Sequence, residues 1–140
     1  MAEYVGKYQQ TRIENLDKFL KELDVNYIIR KAAYASTPEF EVFLDGNDIR
    51  FKTSTMLKSI ELKFKPGEEF EEKTFDGRKV RGIVTIEGNK FISIQNNLKK
   101  GGISTKVVRE FKDDEMIQSS SVIGSDTVCI QVFKRQTSQN

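Results

Sequence analysis

The residue types that most often carry catalysis or bind metals are nearly absent from this sequence. Its 140 residues include no histidine and one cysteine, Cys129. The commonest general base is therefore missing, and cysteine and histidine ligands cannot form a zinc site. The acidic pairs 68–69 and 113–114 fall in predicted turns, where solvation is their expected role, and the serines of 119–121 have no histidine to activate them. We therefore expect no enzymatic activity, no metal site and no cofactor.

Arginine is the remaining residue type with the most specific binding chemistry, and Arg109 is an arginine on a predicted strand. A guanidinium stays charged and can bind a carboxylate through two parallel hydrogen bonds. The surrounding strand pattern does not show which face is buried, because residues 107, 109 and 111 and residues 108 and 110 each mix charged and apolar types. From pattern alone, Arg109 faces either the interior or the solvent.

The overall composition is that of an ordinary globular chain. The net charge of +2 is too small to indicate a nucleic-acid-binding surface. A single cysteine suggests a reducing compartment, and residues 1–10 lack the apolar segment of a signal peptide. No apolar run approaches the roughly 18 residues that span a membrane. We expect one domain over residues 1–140 in the cytoplasm, with no nucleic-acid partner.

Two short helices are predicted, both near the start of the chain. Apolar residues spaced three and four apart form one helical face within residues 15–23: Leu16, Phe19, Leu20 and Leu23. Asn15 is the predicted N-cap of this helix, and Asn26 is the predicted cap of a second helix over residues 27–34. Pro38 ends the helical part, because the residue before a proline avoids helical geometry.

The remaining segments alternate strand patterns with turn residues. The predicted strands are 4–12, 40–44, 49–53, 57–64, 69–73, 79–86, 90–96, 105–111, 116–123 and 127–134, with a frayed tail at 138–140. Ten strands at this spacing indicate an antiparallel meander, and closing it into a barrel removes its unpaired edges. Side chains alone do not fill so wide a barrel, so we expect a cavity. Pattern alone leaves a packed β-sandwich as the alternative.

Several blocks of the sequence match one known family in order and spacing. They are residues 6–8, 15–23, 64–70, 76–79, 108–110 and 128–134. Through these blocks the chain resembles the intracellular lipid-binding proteins of the calycin superfamily, which include fatty-acid-binding and cellular retinoid-binding proteins. It departs from them at Gln10, where the family favours an apolar residue, and at Leu16, where it favours an aromatic one. The resemblance implies an all-β fold: a ten-stranded antiparallel up-and-down β-barrel of clam-shell form with a helix-turn-helix cap.

The resemblance also implies a binding site inside the barrel. Arg109 would point inward and hold a carboxylate, with ligand contacts from Gln118, Ser120, Gln131 and Phe133. Many fatty-acid carriers have an arginine and a tyrosine where this chain has Gln131 and Phe133, so the charged part of the site is reduced to Arg109. Glutamine here also resembles the retinol-binding branch, but a buried unpaired guanidinium argues against a purely neutral ligand.

For the last strand, the pattern of apolar residues and the family resemblance predict opposite inward faces. Simple alternation would bury the even-numbered apolar residues of 128–132, whereas the resemblance turns Cys129, Gln131 and Phe133 inward. An inward glutamine suits a water-filled cavity and not a dry core. The facing of this strand therefore tests the interpretation.

A portal and a cavity lining are implied as well. These residues would be Phe19, Leu20, Val25, Ile29, Ala33, Leu57, Phe75 and Asp76. Leu57 stands where the family has a gatekeeping aromatic residue, and Phe75 replaces a small residue and would narrow the opening. Two alternatives stay open: the apolar face of the first helix packs as ordinary core, and Asp76 lies in a solvated turn.

We expect a monomeric carrier of a long-chain fatty acid or a similar hydrophobic carboxylate. The alternatives are a carrier of a retinoid or another hydrophobic ligand, and a lipid-delivery module that acts on nuclear receptors. Lys21, Arg30 and Lys31 match a dispersed nuclear-import cluster of some family members, which would add a nuclear location. Together with Lys18, they would also favour transient contact with anionic membrane surfaces; a solvated basic face balanced by nearby acids is the equal alternative.

Overall fold

The computed structural model describes residues 3–137 as ten β-strands and two α-helices. They are β1 Gly6–Glu14, α1 Leu16–Glu22, α2 Tyr27–Ala35, β2 Glu39–Asp45, β3 Asp48–Ser54, β4 Ser59–Phe64, β5 Phe70–Lys73, β6 Lys79–Glu87, β7 Lys90–Asn97, β8 Thr105–Lys112, β9 Glu115–Val122 and β10 Cys129–Arg135. Every predicted strand and both predicted helices are present, with ends displaced by a few residues. Neither helix is long and apolar enough to cross a membrane within this described range. The predicted tail at 138–140 lies outside it.

All ten strands belong to one antiparallel sheet that curves into a nearly closed barrel. The strand order is β4-β3-β2-β1-β10-β9-β8-β7-β6-β5, so the first and last strands pair with each other, and β4 and β5 are left at the two edges. Phe64 and Phe70 lie across this gap, with stacked rings 5.8 Å apart. In the turn between them, the Gly67 N–H donates to the Val84 carbonyl at 2.8 Å. The predicted clam-shell barrel is confirmed, and a sandwich of two sheets is excluded.

The helical cap follows β1 and packs on the barrel through α1, which contacts β9 and β10. Asn26 caps α2 as predicted, because its side-chain oxygen accepts the Ile29 N–H at 3.0 Å. Asn15 is the N-cap residue of α1 as predicted, but its side chain does not cap the helix. Asn15 stands in a left-handed conformation with φ of 62° and makes no side-chain cap hydrogen bond. Its amide donates instead to the Val128 carbonyl at 3.1 Å, which ties the cap to the segment before β10.

Two apolar clusters occupy opposite ends of the barrel interior. The first, away from the helices, consists of Tyr8, Phe40, Val42, Ile49, Phe51, Phe64, Val84, Phe91, Phe111, Met116 and Phe133. The second joins α1 to the barrel and consists of Phe19, Leu23 and Cys129, with Ile13, Leu16, Leu20, Val25, Ile103 and Val122 packed against them. Polar side chains of the middle of the barrel lie between these clusters and form the candidate site.

Candidate ligand-binding site

The inner face of β10 carries the side chains that the resemblance turned inward. Cys129 and Phe133 are 1% and 2% exposed and pack in the two apolar clusters. Gln131 lies between them on the same face and bonds to glutamines of the neighbouring strands. Val132 is also buried, but it belongs to the other face. Apolar alternation misleads on this strand because its central inward residue is polar.

A chain of hydrogen bonds links Arg109 to three glutamines across four neighbouring strands. Arg109 Nε donates to Gln118 Oε1 at 2.9 Å, Gln118 Nε2 donates to Gln131 Oε1 at 3.0 Å, and Gln131 Nε2 donates to Gln10 Oε1 at 2.7 Å. We call these four residues the amide ladder. Arg109 and Gln118 are register partners, as are Gln118 and Gln131. An irregularity in the β1–β10 register falls directly after Gln10.

The guanidinium of Arg109 is enclosed by protein but only partly bonded. Its carbon lies 4.8 Å from the centre of the Phe40 ring and 5.0 Å from that of Phe51. Among residues 3–137, no carboxylate approaches it within 4.0 Å and Nη1 and Nη2 have no hydrogen-bond partner. Arg109 retains accessible surface, and neither terminal nitrogen is cut off from open space. Open space therefore borders these two donors.

The charge of Arg109 survives this enclosure at neutral pH. Burial lowers the pKa of Arg109 to about 10, and the negative charge of Glu72 opposes that change. A positively charged group with two open donors is suited to bind a carboxylate in bidentate fashion.

A second set of polar side chains lies nearer the helical cap. Gln95 Nε2 donates to Glu72 Oε2 at 3.4 Å, and the Thr105 hydroxyl donates to Gln95 Oε1 at 2.6 Å. We call Glu72, Gln95 and Thr105 the upper polar row. Burial raises the pKa of Glu72, against the Gln95 hydrogen bond and the charges of Arg109 and Arg78. This row was not predicted from the sequence; the signal available was that Thr105 and Arg109 share one face of one strand.

Asp76 lies next to the upper polar row and is more than a solvated turn residue. Arg78 donates to both of its oxygens, at 2.7 Å and 3.1 Å, and the Thr74 hydroxyl donates at 2.8 Å. Although burial is the largest single effect and acts in the opposite direction, these bonds together lower the pKa of Asp76. Arg78 also donates to the Ile103 carbonyl at 3.0 Å. The pair thus holds the β5–β6 turn against the segment before β8.

The other predicted ligand and portal residues fall into two groups. Ser120 and Phe133 are buried in the barrel wall, at 5% and 2% exposure. Leu57 is 90% exposed because it lies in the β3–β4 turn and not in β4. The Thr55 N–H donates to the Lys58 carbonyl and closes this turn, so β4 begins only at Ser59. Phe75 is 40% exposed in the β5–β6 turn.

The cap residues predicted to line the cavity divide between the two helices. Phe19, Leu20 and Val25 pack in the cluster around Cys129, so the alternative of ordinary packing describes the face of α1. Ile29 is 56% exposed and Ala33 is half-buried on α2, which buries none of its residues. The second helix is thus held more loosely than the first.

A nearly closed ten-stranded barrel, a helical cap and an inward guanidinium define the class of ligand-binding barrel proteins. The chain matches the family model described as "Lipocalin / cytosolic fatty-acid binding protein family" over residues 5–136. It belongs to that family, and it is a lipid-binding transport protein and not an enzyme.

Named relatives cover almost the whole chain. The sequence is 42% identical over 137 residues to a fatty acid-binding protein of Tyrophagus putrescentiae, covering 97% of this chain and 100% of that protein. It is 39% identical over 139 residues to cellular retinoic acid-binding protein 1 of Homo sapiens, with 97% and 100% covered. A solved structure of a Schistosoma mansoni fatty acid binding protein in complex with arachidonic acid superimposes with a TM-score of 0.89 at 30% identity, covering 98% of each chain.

Proposed function

We propose that this protein, as a monomer, binds and carries a long-chain fatty acid or a similar hydrophobic carboxylate inside its barrel. The observation that carries the proposal is the open pair of nitrogens, Nη1 and Nη2 of Arg109, in an enclosed space. A ligand carboxylate would accept both donors and supply the counter-ion that the guanidinium lacks. Gln118 of the amide ladder holds Arg109 through Nε and leaves the outer edge of the guanidinium to the ligand.

The neighbouring side chains suit the rest of the head group and the start of the tail. Gln118 and Gln131 each use one amide N–H in the ladder and keep a second N–H for a neutral hydrogen bond. Phe133, whose ring centroid is 6.3 Å from that of Phe40, offers apolar surface. Ser120 contributes a hydroxyl on the same inner face of β9 as Gln118.

The acyl tail supplies most of the binding free energy, and the head group supplies selectivity. Burying a methylene group is worth about 0.8 kcal/mol, or at most about 11 kcal/mol for a palmitate-length chain. Association itself costs on the order of 4–15 kcal/mol. A head-group contact therefore decides which of several equally apolar ligands is bound.

Mass spectrometry of lipids that co-purify with the protein, followed by calorimetric titration, tests the proposal. Arg109→Ala should weaken fatty-acid binding by about 1–3 kcal/mol, the range for a hydrogen bond to a charged group. Lys106→Ala is the matched control, because it removes a positive charge from the exposed face of the same strand. Equal affinity in both variants would remove Arg109 from the site.

Retinoic acid is a second candidate ligand, because the human relative is named for it and it also presents a carboxylate. Titration with retinoic acid and retinol separates the contribution of head-group charge to the affinity from that of ligand shape. Binding through Arg109 predicts that the acid binds more tightly than the alcohol and that Arg109→Ala removes most of the difference. A preference for retinol would indicate a neutral head group held by the glutamines alone.

We also propose that α2 and the β3–β4 turn touch membrane surfaces during ligand transfer. Ile28 is 78% exposed, and Met56 and Leu57 are 100% and 90% exposed. Ligand transfer to vesicles should accelerate with anionic lipid content, and Ile28→Ser should slow it more than a substitution on β2. A transfer rate that ignores both lipid charge and salt would contradict this contact.

Delivery of ligand to a nuclear receptor is the most specific of these proposals. Of its basic cluster, Arg30 is largely occupied: Nε donates to Asp17 and Nη1 donates to the Val25 carbonyl, both at 2.8 Å. Lys21 and Lys31 are the members exposed to solvent. Nuclear accumulation that depends on ligand and on these two lysines would support this role, and its absence would exclude it.

A further inference from the structure

Glu72 is an interior carboxylate with no cationic partner among residues 3–137. Among the described residues no lysine or arginine nitrogen lies within 4.0 Å of it, and its one hydrogen bond is the 3.4 Å contact from Gln95 to Oε2. Its other oxygen, Oε1, has no partner in that range of the chain and still borders open space. A charged or strongly polar group in this state has unused capacity to bind a ligand.

The barrel wall is shaped around this carboxylate. Glu72 Oε2 lies over Gly82 of β6, where an added Cβ atom would come within 3.0 Å of that oxygen and of the Phe70 ring. Glycine therefore leaves the room that the Glu72 side chain occupies. Gln95 pairs in register with both Gly82 and Thr105, so the upper polar row forms a continuous polar strip across β5, β6, β7 and β8.

The upper polar row is displaced from Arg109 along the strands. Thr105 and Arg109 share the inner face of β8 and are four residues apart, which separates their backbones by roughly 13 Å. An acyl chain whose carboxylate is bound at Arg109 would pass the row with its middle section. A group next to the carboxylate would not reach it.

We propose that Glu72 and Gln95 of the upper polar row form a second subsite for a hydroxyl group, so that fatty acids hydroxylated near the middle of the chain are preferred ligands. Thr105 is 1% exposed, donates to Gln95 and accepts from Arg78, so it orients the Gln95 amide and does not contact the ligand. The inference rests on the proposed function, because the carboxylate must lie at Arg109. A hydroxyl donates to an ionised carboxylate and accepts from a protonated one, so it suits either state of Glu72. A ligand amine is disfavoured, because it would share the interior with the positive charge of Arg109.

Calorimetric titration of the delipidated protein tests the subsite. The ligands are stearic acid, its analogue hydroxylated at the carbon next to the carboxylate, and analogues hydroxylated near mid-chain. The mid-chain analogues should bind about ten-fold more tightly than stearic acid, the effect of one hydrogen bond to a charged group. The analogue hydroxylated beside the carboxylate should show no such gain.

Variants of β5 give the matched comparison. Glu72→Leu should reverse the preference for the mid-chain hydroxyl, and Glu72→Gln, which keeps the size of the side chain, should reduce it to about three-fold. Glu71→Gln is the control, since Glu71 faces outward and pairs with Arg81 at 3.5 Å; it should leave the preference unchanged.

Two different outcomes separate this inference from the proposed function. If stearic acid binds but the mid-chain hydroxyl gives no gain, or if the gain survives in both Glu72 variants, the subsite is refuted. If neither stearic acid nor its analogues bind, the proposed function itself fails.

Discussion

Replacing Arg109 by methionine should make the ligand-free protein more stable and its complex with a fatty acid less stable. The methionine side chain is long, flexible and apolar, so it can fill much of the same space. The gain without ligand is expected because the guanidinium is enclosed with no carboxylate within 4.0 Å in the described chain. Replacing a buried, incompletely paired charge by an apolar side chain often stabilises a protein.

The size of the gain follows from the surroundings of Arg109. Burial lowers its pKa from 12.5 to about 10, which corresponds to roughly 3 kcal/mol at about 1.36 kcal/mol per pKa unit. The contacts with the rings of Phe40 and Phe51 return about 1 kcal/mol. The hydrogen bond to Gln118 returns about 1 kcal/mol more. The net gain in the free energy of unfolding is therefore roughly 1 kcal/mol.

Urea unfolding of the delipidated protein, with and without fatty acid, measures both effects. At a free-ligand concentration one hundred times Kd, the unsubstituted protein should gain about 2.7 kcal/mol, and Arg109→Met should gain less. Lys106→Met is the control: it introduces the same side chain on the exposed face of β8 and should leave the ligand effect intact. An Arg109→Met protein that is less stable without ligand, or equally stabilised by it, would refute the reasoning.

Three further results are expected. Cys129 is 1% exposed, and burial raises its pKa to about 11, so thiol reagents should label it only as fast as the protein unfolds; rapid labelling of the native state would contradict this. Because burial raises the pKa of Glu72 above its ordinary 4.5, the folded state binds its proton more tightly than the unfolded state. The free energy of unfolding of the unsubstituted protein, relative to that of Glu72→Gln, should therefore be greatest at or below pH 4.5 and should fall as pH rises through the raised pKa of Glu72. A difference between the two proteins in urea denaturation that stays constant over this pH range would disprove it. Asp76→Ala should lower the free energy of unfolding by about 1–3 kcal/mol, because it leaves the largely buried Arg78 without its counter-ion. Asp45→Ala breaks an exposed pair with Lys63 and should change stability by less than about 1 kcal/mol.

The fold was predictable because its signals are local. Hairpin turns such as 45–46 and 76–77 separate strands of regular length, and the helical face of α1 is visible in the spacing of Phe19, Leu20 and Leu23. The N-cap position of α1 was predictable too, but the role of the Asn15 side chain was not. Asn15 has the right residue type, but its side chain bonds to Val128, more than a hundred positions away in the sequence. A pattern of neighbouring residues carries no information about a hydrogen-bond partner as distant in the sequence as Val128.

The candidate site was predictable only in part. Arg109 is singled out by the resemblance, whereas Glu72 and Gln95 look like ordinary polar strand residues. Their meeting with Thr105 depends on the register of four strands and on Gly82, which makes room for the Glu72 carboxylate. Register between strands that are distant in sequence has no local signature, so these residues emerge only from the assembled barrel.

Two departures from the family pattern that looked independent in the sequence are physically coupled. Gln131 stands where many fatty-acid carriers have an arginine, and Gln10 stands where the family favours an apolar residue. In the barrel Gln131 Nε2 donates to Gln10 Oε1 at 2.7 Å. An apolar residue at position 10 would leave that amide inside the barrel without its acceptor, at a cost of about 1–3 kcal/mol. The hydrogen bonds between the glutamines of the amide ladder therefore require both Gln10 and Gln131. Because amides that hold the Arg109 guanidinium stand in place of a second guanidinium, the proposed recognition of an anionic head group would rest on Arg109.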